Sequence, residues 1–374
     1  MKIGLLGFGS MGRTHTWAVE NIRFYYKKPP FEAKIAGVYT RTFETAKNAC
    51  EQFGFDFAAK SEDELIYNDD IDIIDICTPN ISHYETLKKA INAGKHIYCE
   101  KPLCVSAAQA DEVCELAYKK GVVGKIVFNN RYLAPILRAK ELIDEGRLGR
   151  ILSFRCAYLH SSATDINKNA GWKQNRDICG GGVLFDLGSH AIDLVYYLCG
   201  RFKEVNGRSQ IAFESRRGID GSDWKTNADE AFYMTAELEC GAIGTIEASK
   251  VAVGTNDDLT LEIYGTDGSL RFSLMEPNFL NFYDNRHENR PLGGEKGFTR
   301  IECVGRYPDP AGIFPGIKAP AGWLRGHLGS MYAFLDAVHR NDTDVHPNFY
   351  DASHIQHVME AGYESDKARR SVII

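Results

Sequence analysis

The first third of the chain alternates short apolar runs with segments in which apolar residues recur every three to four positions. Uninterrupted apolar runs are typical of strands covered on both faces, and the second pattern is typical of amphipathic helices. The runs predict strands at 2–6, 34–39, 55–58, 71–77, 96–99 and 125–129. The periodic segments predict helices at 11–26, 43–53, 82–92 and 106–120. This alternation predicts an α/β fold with a Rossmann, doubly wound parallel sheet.

Longer strand patterns dominate the rest of the chain, and regular crossover helices no longer separate them. They predict strands at 150–158, 231–238, 242–250, 260–264 and 269–273, and helices at 135–145, 189–198, 327–339 and 350–367. This order is typical of an α+β domain with a large, mostly antiparallel sheet. Residues 276–326 are rich in glycine, proline and charge and give no assignment. We therefore predict two domains, at 1–124 and 125–374.

The composition of the 374-residue chain is ordinary, with 44% hydrophobic residues, 25% charged residues and a net charge of −6. Without a basic excess, we expect no general nucleic-acid surface and no anionic-membrane surface. No run of about 18 apolar residues and no signal peptide are recognised, so no membrane-spanning helix is expected. The ten cysteines are scattered without a C-x-x-C pair. This usage predicts a reduced, cytoplasmic protein without a metal site.

A glycine fingerprint follows the first predicted strand. It fits G-x-G-x-x-G and consists of Gly7, Phe8, Gly9, Ser10, Met11 and Gly12. Glycines at these positions permit a tight turn, close approach of a pyrophosphate and close packing of helix on strand. The helix N-terminus then offers free N–H groups to phosphates. At the first βα turn of the chain, the fingerprint predicts dinucleotide binding.

The end of the second strand bears on which dinucleotide binds. Sites specific for NAD usually carry Asp or Glu here for the ribose hydroxyls, whereas this chain has Thr40 and Arg41. Both side chains can interact with a 2′-phosphate, so the sequence favours NADP over NAD. The alternative is that Arg41 is a solvated residue at the start of a helix and that NAD is accepted.

Two later strand ends carry polar segments where ligands of open parallel sheets bind. The strand at 71–77 is followed by Thr78, Pro79 and Asn80, with His83 at the start of the next helix. The strand at 96–99 is followed by Glu100, Lys101 and Pro102, and a cis bond at this proline is an option. We expect these segments to line the cofactor site and Lys101 to lie at the reactive ring. For His83 itself, a structural or capping role is favoured over a catalytic one.

Asp186 and His190 are four residues apart, so a helix would place them on one face. They offer a carboxylate and an imidazole, the groups that general acid–base chemistry uses. Asp193, three residues beyond His190, is an alternative partner for the imidazole.

Taken in order, these motifs resemble the Gfo/Idh/MocA oxidoreductases over essentially the whole chain. The resemblance rests on the glycine fingerprint, Thr78-Pro79-Asn80-x-x-His83, Glu100-Lys101-Pro102, Gly181-Gly182 leading to Asp186-x-Gly188-x-His190-x-x-Asp193, and Tyr264-Gly265-Thr266-x-Gly268. It implies that Lys101, Asp186 and His190 are catalytic. It also implies that the open sheet of the second domain makes subunit contacts in homodimers or homotetramers. The chain departs from the family pattern at Lys173, where many relatives have arginine.

The predicted activity is hydride transfer between NADP or NAD and a hydroxyl or keto carbon of a sugar, cyclitol or sugar derivative. His190 would take the hydroxyl proton, Lys101 would stabilise charge on that oxygen, and Asp186 would orient the substrate or His190. The further candidates for a polar substrate pocket are Asn129, Arg131, Tyr158, His160, Trp172, Lys173 and His327. Two alternatives stay open: a glycosidase that uses NAD transiently, and a non-catalytic cofactor sensor on the same fold.

Overall fold

Strands and helices alternate from the beginning of the computed structural model, as the hydrophobic pattern predicts. The structure describes residues 1–167, 169–218, 221–303 and 322–374. The tract 276–326, for which the sequence gives no assignment, therefore lies partly outside the described residues. The described chain divides into two units, the first formed by 1–132 and 323–356 and the second by 133–303, 322 and 357–374 with the gaps just given.

The first unit contains a six-stranded parallel sheet in the order β3-β2-β1-β4-β5-β6. Its strands are β1 Lys2–Leu6, β2 Lys34–Tyr39, β3 Phe57–Ala59, β4 Ile73–Ile76, β5 His96–Cys99 and β6 Gly124–Ile126. The intervening helices are α1 Ser10–Tyr25, α2 Phe43–Phe53, α3 Asp63–Ile66, α4 Asn80–Asn92 and α5 Ala107–Lys120. Every residue of β4 is buried, which explains why its residues are apolar apart from Asp75. The predicted doubly wound sheet is confirmed.

One predicted strand is shorter than its apolar pattern. After β6 the chain turns into a 3-10 helix, Asn129–Tyr132, so Asn129 lies in a turn and not in the predicted strand 125–129.

The domain boundary predicted at residues 124/125 differs from the observed division. Helix α9, Trp323–Arg340, places Leu328, Met331 and Phe334 in the hydrophobic core that also contains β1 and α1. The sequence pattern could not show this return, because the partner surfaces lie some 300 residues earlier in the chain.

The second unit contains, among the described residues, a nine-stranded sheet in the order β16-β15-β14-β13-β7-β12-β11-β8-β17. Its strands are β7 Ile151–Leu159, β8 Phe202–Gln210, β11 Ala231–Leu238, β12 Ile243–Ser249, β13 Asp258–Gly265, β14 Gly268–Ser273, β15 Phe279–Asp284, β16 Phe298–Glu302 and β17 Val372–Ile373. A separate hairpin pairs β9 Ser215–Arg217 with β10 Asp223–Lys225. The β7–β12 pair is parallel and the other pairs are antiparallel, which confirms the mostly antiparallel prediction.

The remaining helices are α6 Ala134–Asp144, α7 Arg176–Cys179, α8 Ser189–Cys199 and α10 Phe349–Ala368. A π-helical turn, Leu184–Gly188, leads into α8. The helical stretch Arg176–Cys199 is long and apolar enough by composition to cross a membrane, but 78% of its most apolar window is buried inside the protein. That burial is typical of a core helix.

Candidate active site

The glycine fingerprint forms the turn between β1 and α1. Gly7 has φ +94°, and a Cβ at this position would lie 2.6 Å from the carbonyl oxygen of Cys77. A Cβ on Gly12 would lie 2.3 Å from the oxygen of Gly7. By contrast, a Cβ on Gly9 would meet no described atom within 4 Å. The turn therefore packs tightly against the sheet and stays open at Gly9, in front of the α1 N-terminus, as a dinucleotide pyrophosphate requires.

The residues around this turn have different surroundings. Phe8 is buried and packs edge-on against Phe53 and Phe55 at centroid distances of 5.3 and 5.9 Å. At the end of β2, the Thr40 hydroxyl donates to the carbonyl of Thr42 at 2.7 Å, while Arg41 is exposed. Phe8 thus anchors the turn through packing, and Arg41 is the solvent-facing cation.

The segment around Lys101 is fixed by a buried histidine. The Lys101–Pro102 peptide bond is cis. His83 lies fully buried in α4, with Nδ1 3.0 Å from the Pro102 oxygen and Nε2 2.9 Å from the Thr78 oxygen. Burial lowers the pKa of His83, so the neutral ring donates from one nitrogen at a time. It connects the two polar strand ends that the sequence assigns to the cofactor site.

A second buried histidine, His15 in α1, was not selected from the sequence. Its Nδ1 lies 2.9 Å from Asp75 Oδ1, and its Nε2 lies 3.1 Å from Glu100 Oε1. Glu100, which directly precedes Lys101, accepts the Lys101 backbone N–H through Oε2 at 3.2 Å. Burial opposes protonation of His15, but the Asp75 carboxylate raises its pKa well above the ordinary value. We interpret the ring as an imidazolium between two buried carboxylates.

Within the described ranges, His15, Asp75 and Cys77 also bring three potential metal-ligand atoms within 4.8 Å of one another. Burial raises the pKa of the Cys77 thiol, which lies 3.2 Å from His15 Nδ1 and 3.6 Å from Asp75 Oδ1. Hydrogen bonding accounts for this cluster.

In the second unit, polar residues gather where the parallel strands β7 and β12 end. Parallel pairing brings their carboxyl ends together, and the antiparallel neighbour β13 begins at the same edge. The Tyr158 hydroxyl donates to Asp257 Oδ1 at 2.7 Å, and His160 Nε2 lies 2.9 Å from the same oxygen. Burial raises the pKa of Asp257, but the hydrogen bonds from His160 and Tyr158 outweigh this effect and keep the pKa below its usual value. Burial raises the pKa of Tyr158, so its hydroxyl stays protonated and donates.

Asp186 lies in the π-helical turn and is held by two lysines. Lys173 Nζ lies 2.9 Å from Oδ1 and 3.0 Å from Oδ2, and Lys250 Nζ lies 3.0 Å from Oδ2. The side chain of Lys250 is 10% exposed, whereas that of Lys173 is 49% exposed. Two cations favour the ionised carboxylate, so Asp186 is suited to accept hydrogen bonds from hydroxyl groups.

His190 is buried at the start of α8, and its ring meets the Tyr158 ring edge-on at a centroid distance of 5.9 Å. The segment that carries Asp186 and His190 is anchored by Asp229. The Asp229 carboxylate accepts from the backbone of Gly182 at 2.9 Å and of Leu184 at 3.1 Å. Gly182 is needed here, because a Cβ at this position would lie 2.2 Å from the backbone carbonyl oxygen of Asp229.

The other pocket candidates fall into two groups. Asn129, Arg131 and His327 belong to the first unit and are buried there. Arg131 pairs with Asp351 at 3.4 Å, and the His327 ring lies 6.1 Å from that of His15. Tyr158, His160, Trp172 and Lys173 belong to the second unit with Asp186 and His190.

Lys250, Asp257 and Asp229 are the further site residues that sequence reasoning missed. Each stands beside a predicted strand end, as Lys101 does, and that position was the available signal. The strand pairing needed to bring them together cannot be read from the sequence.

Comparison with known proteins places this geometry in a family. Residues 1–128 match the model described as oxidoreductase family, NAD-binding Rossmann fold, and residues 136–271 match the GFO/IDH/MocA C-terminal domain. Levoglucosan dehydrogenase of Pseudarthrobacter phenanthrenivorans is 29% identical, with 98% of this chain and 96% of that protein covered. Glucose-6-phosphate 3-dehydrogenase of Bacillus subtilis is 26% identical, with the same shares covered.

A solved structure of levoglucosan dehydrogenase in complex with NADH and levoglucosan matches with a TM-score of 0.95 at 29% identity. The match covers 100% of this chain and 99% of that chain. The resemblance noted from the motifs is thereby confirmed, together with the NAD-binding fold and the oxidoreductase class. The chain belongs to the Gfo/Idh/MocA family of oxidoreductases.

Proposed function

We propose that this protein is a dehydrogenase that oxidises a CH–OH group of a neutral sugar, cyclitol or sugar derivative, with Lys101, Asp186 and His190 as its catalytic residues. The observation that carries the substrate class is the edge formed by β7, β12 and β13. Two carboxylates and two lysines occur there together with imidazole groups. Mixed donors and acceptors without a marked excess of either charge suit a substrate with several hydroxyl groups.

The chain's own residues supply position and proton transfer. His190 accepts the proton of the reacting hydroxyl, and Lys101 stabilises the charge that develops on its oxygen. Asp186, kept ionised by its two lysines, accepts a hydrogen bond from a hydroxyl and so orients the ring. A bound nicotinamide dinucleotide supplies the hydride acceptor. The open turn at Gly9 would hold the pyrophosphate.

We propose a preference for NADP over NAD. The end of β2 carries Thr40 and Arg41 and no carboxylate between Tyr39 and Thr42. The exposed Arg41 guanidinium is suited to a bidentate contact with a 2′-phosphate, while an acidic residue for the ribose hydroxyls of NAD is missing from this stretch. The ten cysteines, all unbridged, support a reducing compartment such as the cytoplasm.

We further propose that one face of the nine-stranded sheet pairs with a second copy in a homodimer or homotetramer. Alternating positions on this face expose Tyr233, Ile243 and Phe298. Arg155 and Glu262 form an ion pair among them at 3.1 Å. A self-complementary mixture of apolar and paired charged groups is typical of isologous interfaces. Sedimentation analysis of the wild type and of Ile243→Asp tests this: a wild-type monomer would refute it.

The test of the activity is a panel of sugars and cyclitols incubated with NADP and with NAD, monitored by absorbance of the reduced nicotinamide. We expect stoichiometric formation of reduced cofactor, with oxidised sugar as the product. Release of an alcohol from a glycoside without net cofactor reduction would instead support the redox-assisted glycosidase. Cofactor binding without turnover of any substrate would support the sensor.

A further inference from the structure

The segment that carries Lys101 has a buried charged support beneath it. Asp75, His15 and Glu100 form a chain of hydrogen bonds from the middle of the sheet to the end of β5. Asp75 is completely buried, and His15 and Glu100 are nearly so. The last member, Glu100, uses its second oxygen to accept the backbone N–H of Lys101. This series of hydrogen bonds therefore ends at the backbone of Lys101, the candidate catalytic residue.

His15 is the only member of this chain that can satisfy both carboxylates. A buried carboxylate without a cation or donor is strongly unfavourable. The imidazolium has two N–H groups on opposite sides of its ring, and in this structure one faces Asp75 and the other faces Glu100. Removing the donor on the Glu100 side would leave that carboxylate free to turn away from the Lys101 backbone.

The surroundings of His15 come from several elements. Asp75 and Cys77 belong to β4 and its end, and Glu100 follows β5. The rings of Tyr98 from β5 and of His327 from α9 lie beside the His15 ring, at centroid distances of 5.0 and 6.1 Å. Tyr98 donates its hydroxyl to Ser330 at 2.8 Å, so it leaves the His15 nitrogens to the carboxylates.

We propose that His15 is a positioning residue for the reaction: by donating to Asp75 and to Glu100, it fixes the backbone of Lys101 at the carboxyl end of β5. This inference rests on the proposed function for its catalytic consequence. Its structural consequence, the protection of the Lys101 amide, can be measured whether or not the substrate class is correct.

The experiment compares two substitutions that each keep one half of the imidazole's bonding. The longer side chain of His15→Gln places an amide nitrogen near the former Nε2, toward Glu100. The shorter side chain of His15→Asn places one near the former Nδ1, toward Asp75. We expect hydrogen exchange of the peptide 97–104 to accelerate about ten- to a hundredfold in His15→Asn, the effect of losing one hydrogen bond to a charged group. In His15→Gln, exchange should stay near wild type.

The turnover number should rank the two variants as hydrogen exchange does, with the larger effect in His15→Asn. We expect kcat of His15→Asn to fall about ten- to a hundredfold with an unchanged dissociation constant for the cofactor, and His15→Gln to recover most of the rate. Ser330→Ala is the matched control, because it removes the partner of Tyr98 in the same core without touching Asp75, His15 or Glu100. It should lower the Tm while leaving exchange at 97–104 and kcat unchanged.

Two results would overturn the inference. One is equal exchange at 97–104 in both His15 variants, and the other is a kcat that falls in step with Tm across all three variants. If His15→Asn does not fold, the double variant Asp75→Asn, His15→Asn removes one of the two buried carboxylates that lose their cation. Glu100 still lacks its donor there, so the same exchange measurement applies. A wild-type enzyme without turnover on any sugar would refute the proposed function, while the exchange result would still decide the role of His15.

Discussion

Lys250 provides a sharp test of the site, because replacing it with methionine removes one charge and keeps most of the side-chain volume. Its Nζ lies 3.0 Å from Asp186 Oδ2, and its side chain is 10% exposed. The same carboxylate also pairs with Lys173, whose side chain is 49% exposed. The two lysines thus make similar contacts in different surroundings.

The expected magnitudes follow from that difference. A hydrogen bond to a charged group in a shielded place contributes about 1.5–3 kcal/mol. A solvent-exposed ion pair contributes about 0.2–1 kcal/mol, because water screens the charges and the long side chains lose entropy. If Asp186 orients the substrate, Lys250→Met should lower kcat/KM by about ten- to a hundredfold. Lys173→Met should lower it by no more than about fivefold through its pairing with Asp186.

The assay is steady-state kinetics with the best substrate of the panel, accompanied by thermal unfolding of each variant. Lys203→Met is the control, since Lys203 pairs with Glu237 at 2.6 Å on the exposed part of the same sheet. We expect it to leave kcat/KM unchanged. If Lys250→Met retains kcat/KM within about twofold of wild type, the buried pair does not organise Asp186 for the reaction. Equal losses in both Asp186-pairing variants would show that burial does not set the strength of these contacts.

Four further predictions address the other parts of the site. Lys101→Ala should abolish turnover with an unchanged circular dichroism spectrum, and a variant with a substantial fraction of wild-type kcat would remove Lys101 from the mechanism. His190→Asn should lower kcat by about 10²- to 10⁴-fold and eliminate the acid limb of the pH–rate profile; persistence of that limb would identify another base. Arg41→Ala should weaken NADP about ten- to a hundredfold with little effect on NAD, as measured by fluorescence titration, and equal losses for both cofactors would argue against a 2′-phosphate contact. Finally, the raised pKa of His15 adds stability that is complete below the unfolded value of 6.5 and is lost as pH rises from 6.5 through the folded value. Between those two pH values, the unfolding free energy of wild type relative to His15→Gln should fall by up to about 1.4 kcal/mol per pH unit in urea titrations; a constant difference would refute the imidazolium.

The parallel sheet of the first unit was predictable because most positions of its strands are apolar. Ile73–Ile76 has no exposed residue, so its pattern needs no partner to be recognised. In the second unit, β8 was missed for the opposite reason. Phe202–Gln210 contains Lys203, Glu204 and Asn206 with few apolar residues, and its place in the sheet depends on pairing with β11 and β17. Tertiary pairing supplies what local propensity does not.

The candidate site likewise contains residues that the local sequence indicates and residues that only strand pairing brings together. Lys101, Asp186 and His190 stand in motifs, so the sequence selects them as candidates without any knowledge of strand pairing. Lys250 and Asp257 come together only because β12 runs parallel to β7 while β13 runs antiparallel to it. A sequence pattern can indicate the ends of these strands, but it cannot indicate which strands are neighbours.

His15 and Asp75 show how a buried ionic support could be recognised from sequence. His15 shares a helix face with Ala18, Val19 and Ile22, which are all buried, and Asp75 interrupts an otherwise apolar buried strand. Each residue alone breaks the hydrophobic pattern of its element at an energetic cost. Helix α1 directly follows β1, and β1 pairs with β4, so the two interruptions lie side by side. Each therefore supplies what the other lacks: a cation for the carboxylate and an acceptor for the imidazole. The same two residues in exposed positions would form an ordinary surface pair, whereas in the core they join Glu100 in holding the segment that ends in Lys101.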